Sequence, residues 1–118
     1  MSIEFIRQIC KKLKGVIEDV KWGNDLCFCV GEKMFCVTPV EGAFNASFKC
    51  NDEDFAELTE REHIIPAPYM AKNKWVRIEK ASALKKKEWK EYVLKSYHLV
   101  ASKLTKRVQK EIGFSLDA

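Results

Sequence analysis

The sequence predicts a single α+β domain: an N-terminal helix, a twisted antiparallel β-meander, and C-terminal helices packed on one face of the sheet. Three observations carry this. Ile3, Ile6, Ile9, Cys10 and Leu13 recur at helical spacing near the start. Short apolar runs with strand alternation follow, broken by turns containing Gly23, Gly31 and Gly42. Leu84, Trp89, Val93, Tyr97, Val100, Leu104 and Val108 then trace one stripe along a final helical stretch. A sheet with a single apolar face needs cover on that face alone, and helices supply it.

In chain order, the first helix is expected from about Ser2 to Lys14, with Ser2 as cap and Gly15 as a left-handed stop. Strands follow at Val16–Trp22, Leu26–Val30, Lys33–Val40 and Ala43–Cys50. In the fourth, Phe44, Ala46, Phe48 and Cys50 share one face, and Asn45, Ser47 and Lys49 the other. Asn51 or Asp52 caps a short acidic helix reaching about Arg61. Pro66 and Pro68 enforce an extended segment. A polar tip at Lys72-Asn73 leads into a last strand, Lys74–Lys80. The final helical stretch runs from Ser82 to about Gly113, long enough to require a kink near Leu94–Ser96. The domain is expected over residues 1–113, with 114–118 as a frayed tail.

Composition narrows the function classes. Hydrophobic residues at 47% and charged residues at 32% describe a globular chain and exclude the disordered class. No apolar run reaches the roughly 18 residues a membrane span needs, and Met1-Ser2-Ile3-Glu4 does not begin a signal peptide. The expected location is the cytoplasm, where Cys10, Cys27, Cys29, Cys36 and Cys50 remain free, buried thiols. Cys27, Cys29 and Cys36 raise the alternative of a soft-metal site, but no Cys-x-x-Cys knuckle accompanies them, so no metal and no cofactor is expected.

No catalytic constellation is visible either. His63 and His98 are the only histidines, and neither lies near a Gly-flanked nucleophile. Asp52, Glu53 and Asp54 suit a helix start better than a coordination cage. The chain is read as a non-enzyme. Charge is uneven: the net value is +4, with acids crowded in residues 52–62 and lysines and arginines in 84–118. This predicts an acidic end and a basic end.

The segment from Pro66 to Ile78 is the most informative. Tyr69 and Trp75 mix with Lys72, Lys74 and Arg77 around a tight tip. Alternation sends Val76 and Ile78 toward the helices and Trp75 and Arg77 the other way. An outward Trp beside cations reads as a nucleic-acid or ligand contact; the competing reading is that the final helical segment folds over Trp75.

At these residues the chain resembles the MmcQ/YjbR family of small bacterial proteins. The matching pieces are Gly31-Glu-Lys33-Met34-Phe35, Phe48-Lys49-Cys50, Pro66-Ala-Pro-Tyr69-Met70-Ala-Lys72, Trp75-Val76 and Ser96-Tyr97-His-Leu-Val100. The resemblance implies a CyaY-like fold and DNA binding through a double wing of projecting hairpins. By position the wings are the turns around Gly31–Lys33 and Lys72–Lys74. The resemblance then assigns Lys33, Lys72 and Lys74 to phosphates of double-stranded DNA, with Arg77 in support and with Lys103, Lys106 and Arg107 adding to the surface if the helix end lies nearby. The expected state is a monomer. The alternative is a module binding a protein or small ligand through Tyr69, Trp75 and Tyr97. Iron handling, as in frataxin-like CyaY proteins, is disfavoured because helix 1 carries Arg7, Lys11, Lys12 and Lys14 against Glu4 alone.

Overall fold

The computed structural model describes residues 3–68 and 70–114. Helix α1 (Ile3–Lys11) is followed by strands β1 (Val16–Lys21), β2 (Asp25–Val30), β3 (Lys33–Pro39) and β4 (Ala46–Lys49). Helix α2 (Asp52–Leu58), strands β5 (Ile64–Pro66) and β6 (Trp75–Ile78), and helices α3 (Lys86–Ala101) and α4 (Lys106–Ile112) complete the chain. The six strands form one antiparallel sheet in the order β1-β2-β3-β4-β6-β5. The extended segment expected at Pro66 is thus an edge strand, which suits a residue lacking an N–H donor.

Helices α1 and α3 lie on one face. There Ile6 and Cys10 meet Phe28, Val30, Phe48, Val76, Ile78, Trp89, Val93 and Tyr97 in the main core. The acidic helix is capped by Asn51, whose side chain accepts from the Asp54 amide at 2.7 Å. Two acids of this stretch are paired with cations. Asp54 pairs with Lys95 of α3 at 3.2 Å, and Arg61 bridges Glu57 and Glu88. Among the described residues, no helix is long and apolar enough to cross a membrane.

A β-bulge decides how the helix layer meets the sheet. Cys36 pairs with Phe28 and Met34 with Cys29, so Phe35 is the extra residue. Phe35 and Cys36 therefore both enter the helix-side core. The Phe35 carbonyl is left outside the ladder, and the Ser96 hydroxyl of α3 donates to it at 2.6 Å. The Ser96 hydroxyl oxygen in turn accepts from the Lys49 amide at 2.9 Å. One buried hydroxyl thus fills the gap where the β3–β4 ladder, paired only at Cys36–Phe48 and Val37–Ser47, runs out.

The C-terminal stretch departs from the expected single helix. The break falls at Ser102–Thr105, not at Leu94–Ser96. Thr105 caps α4 through the Val108 amide, and the Gln109 side chain donates back to the Ala101 carbonyl at 2.9 Å. The turn lets α4 fold down over two glycines. A Cβ on Gly15 would lie 2.6 Å from Ile112, and one on Gly31 2.6 Å from Leu104; both have positive φ. Phe114, placed in the tail by the sequence, is buried against Tyr97 and His98. Residues 115–118 of that tail lie outside the described residues.

The face away from the helices is not bare. Cys27, Cys29, Val37 and Trp75 form a second cluster beneath Ala67 and Met70. Residues returning from β5 to β6 cross back over this face, so β2 is buried almost throughout.

Replacing Ser96 by Ala strands the Lys49 amide and the Phe35 carbonyl in a buried setting. The expected loss is about 2–3 kcal/mol of stability, read as a lower urea midpoint with an unchanged slope. A loss within error would show that neither group depends on the hydroxyl.

Candidate nucleic-acid interface

The two expected wings flank one cleft. The β2–β3 turn at Gly31-Glu32 has positive φ at both residues, the geometry of a tight two-residue hairpin. It presents Lys33 as an exposed side chain. On the other side, a 3-10 turn at Ala71–Asn73 presents Lys72 and Asn73, both exposed. Between them lies a cleft of about 270 Å³ lined by Lys33, Met34, Lys49, Asn73, Trp75, Val100, Lys103 and Leu104.

Three lysines reach this cleft from three elements. Lys33 opens β3, Lys49 closes β4, and Lys103 follows α3 at the break. The close approach of Leu104 and Val108 to Gly31 brings Lys103 beside the β2–β3 turn. No lining residue carries a carboxylate, and among the described residues none of the three lysines forms an ion pair. Lys49 is half-buried, and its ammonium is held below the usual lysine range, first by burial and then by the charge of Lys103. The cleft lining is a concentration of positive charge, with exposed Glu32 beside Lys33 in the turn.

The expected site residues fare differently. Lys33 and Lys72 stand at the two turns. Lys74 does not join them: its ammonium lies 5.1 Å from the centre of the Phe55 ring, on α2. Arg77 lines a different cleft, on the face away from the helices and toward the other end of the sheet. Trp75 has the orientation that strand parity predicts, and the open question of its exposure resolves toward burial: it is 6% accessible, with Ala67 and Met70, rather than the final helix, packed in its cluster. Tyr97 is a core residue, 4% accessible, wedged edge-on against Phe35 and Phe114, and its hydroxyl donates to the Lys14 carbonyl at 2.6 Å. Trp75 and Tyr97 lie on opposite faces of the sheet and share no ligand surface. Tyr69 lies outside the described residues.

Lys49 was missed as a site residue. Its signal was present, since alternation already placed it on the polar side of β4, but nothing in the sequence said which neighbours would surround it. Among the suggested additions, Lys103 joins the cleft, while Arg107 pairs with Glu111 at 3.3 Å on α4.

Cys27 and Cys29 share the outer face, whereas Cys36 faces the helices and meets Cys10, so the three thiols of the considered metal site are not brought together. Among the described residues, no group of three or more potential ligands is poised for a metal. All five cysteines are free and buried. Burial pushes the Cys27 thiol up to about 11 and Cys50 up to about 12, with nearby carboxylates adding to both. Cys10 is raised as well, by its hydrogen bond to Cys36 and by burial.

This geometry belongs to a small α+β class in which helices pack on one face of a six-stranded antiparallel sheet. Within that class the chain belongs to the YjbR family, whose model matches residues 11–99. It is similar to protein DR2400 of Deinococcus radiodurans, which carries the DUF419 domain. The TM-score is 0.87 at 25% identity, over 97% of this chain and 89% of that one. It also shares the fold of a Pseudomonas syringae protein, with a TM-score of 0.71 at 18% identity, over 84% of this chain and 98% of that one. No curated protein matches the chain in sequence.

Two measurements test this local picture. Gly31→Ala places a methyl group against Leu104 at a positive φ; stability is expected to fall by about 1–3 kcal/mol, with amide shifts at Lys33 and Lys103 as the turn and the α3–α4 corner separate. Thiol labelling of the native protein at pH 8 should proceed far more slowly than in guanidinium, because thiolate is the reactive form and burial opposes it. Rapid labelling of Cys27 or Cys50 in the native state would contradict the packing described.

Proposed function

We propose that the chain is a non-enzymatic DNA-binding protein that holds a duplex through its phosphates at the Lys33–Lys49–Lys103 cleft, with Lys72 contributing from the opposite turn. The observation that carries this reading is the convergence of three unpaired lysines on one cleft whose lining holds no acid. Such a surface attracts a polyanion and releases counterions on binding.

The nature of the cleft favours backbone contacts. Asn73 is the single uncharged polar side chain in the lining, so base edges have little to read them. Trp75 is buried too deeply to stack on an unpaired base, which argues for a duplex over a single strand. A phosphate beside Lys49 stabilises its ammonium form. Binding should therefore raise the depressed Lys49 pKa, and affinity should weaken as pH climbs through the lysine range.

The test is fluorescence anisotropy of a labelled duplex across salt. Contact with four phosphates predicts a slope of log K against log salt of about −3.6. A Lys33→Gln, Lys103→Gln double variant should flatten the slope by about 2 and weaken binding at every sequence tried. Lys90→Gln, on the outer side of α3 near α1, should leave both unchanged. Absence of binding at low salt, or equal losses in both variants, overturns the reading.

A further inference from the structure

A second cleft lies on the face away from the helices, at the other end of the sheet from the lysines. It measures about 340 Å³ and is lined by Asp25, Val37, Thr38, Pro39, Asn45, Ser47, Ala67, Pro68, Met70 and Arg77. Register sets its floor: Val37, Ser47 and Arg77 follow one another across β3, β4 and β6. The segment after β5 forms a wall through Ala67, Pro68 and Met70.

Arg77 is the unusual member. Its Nε is buried, and among the described residues it has no hydrogen-bond partner. Among the same residues, Arg77 takes part in no ion pair. A guanidinium cannot shed its charge to relieve burial, so an unanswered N–H there carries a standing cost. The nearby Thr38 hydroxyl is already committed, donating to the Asn45 carbonyl at 2.7 Å.

We propose that this cleft binds a small organic molecule bearing one carboxylate on a short apolar body, with the carboxylate on Arg77. Two coplanar oxygens match the guanidinium fork that Arg77 brings to the cleft lining. Val37, Pro39, Ala67, Pro68 and Met70 give the remainder of the molecule an apolar bed. The volume lies at the small end of the range for ligand sites, about 300–1,000 Å³. Asp25 at the far rim sets the charge limit: it disfavours a dianion such as phosphate and admits a single negative charge held at Arg77. The cleft is separate from the lysine site, so its fate does not bear on DNA binding.

The experiment is an NMR titration of the full labelled chain with butyrate, with butanol as the neutral isostere and with inorganic phosphate. Ligands this small bind weakly, so saturation rather than affinity is the criterion. Butyrate should shift the Arg77 Nε–H signal and the amides of Val37, Ser47 and Ala67 saturably. Butanol and phosphate should bind at least about tenfold more weakly, since the charge-assisted pair is lost in one and opposed by Asp25 in the other. Arg77→Gln, checked for an unchanged folded spectrum, should abolish the response. Arg77→Lys, which keeps the charge without the planar fork, should weaken it about tenfold or more. A silent Arg77 signal, equal responses to butyrate and butanol, or phosphate binding as well as butyrate would each overturn the proposal.

Discussion

The arrangement of this molecule depends on a single hydroxyl filling a fault in a sheet. The bulge at Phe35 turns two consecutive side chains into the core and leaves a carbonyl without a strand partner. Ser96 answers that carbonyl and the Lys49 amide together, donating to one and accepting from the other. This fixes α3 in position and rotation over the centre of the sheet. Trp89, Val93, Tyr97 and Val100 then fall on the strands, and the end of α3 is delivered beside the β2–β3 turn.

From that placement the charge pattern follows. A helix ending over the sheet margin puts Lys103 near Lys33 and Lys49, and the break at Ser102–Thr105 lets α4 pack on glycine backbone instead of projecting into solvent. Two acids of α2, Asp54 and Glu57, are engaged with other cations. Asp54 holds Lys95 on the outer part of α3, and Glu57 shares Arg61 with Glu88. The basic surface is local, produced by which charges are paired rather than by the modest net charge of +4. Lys74 illustrates the point: a neighbour of Lys72 in sequence, it turns instead to the ring of Phe55.

Two clefts border the covered outer face, one toward each end of the sheet. Ala67 and Met70 shield Trp75, Asn73 borders the lysine cleft, and Ala67, Pro68 and Met70 border the arginine cleft. One short stretch of chain therefore shapes both concavities. Pro66 at the edge strand limits how that stretch can leave the sheet.

Local rules determined much of this protein. Apolar periodicity, turn glycines and the proline pair dictated an α+β domain with helices over an antiparallel sheet, since these signals report on neighbours a few residues apart. Strand parity also sent Trp75 and Arg77 to one face and Val76 and Ile78 to the other. Parity states a direction and not what waits there. The burial of Trp75 came from Met70 and Ala67 folding back, and that of Tyr97 from Phe35 and Phe114, contacts that a linear pattern cannot carry. The helix break moved to Ser102–Thr105 because Gly15 and Gly31 offer α4 a surface only in three dimensions. The candidate site divides the same way. The residues of the two turns were legible in the chain, while the gathering of Lys33, Lys49 and Lys103, and the separation of Arg77 from them, were decided by tertiary packing alone.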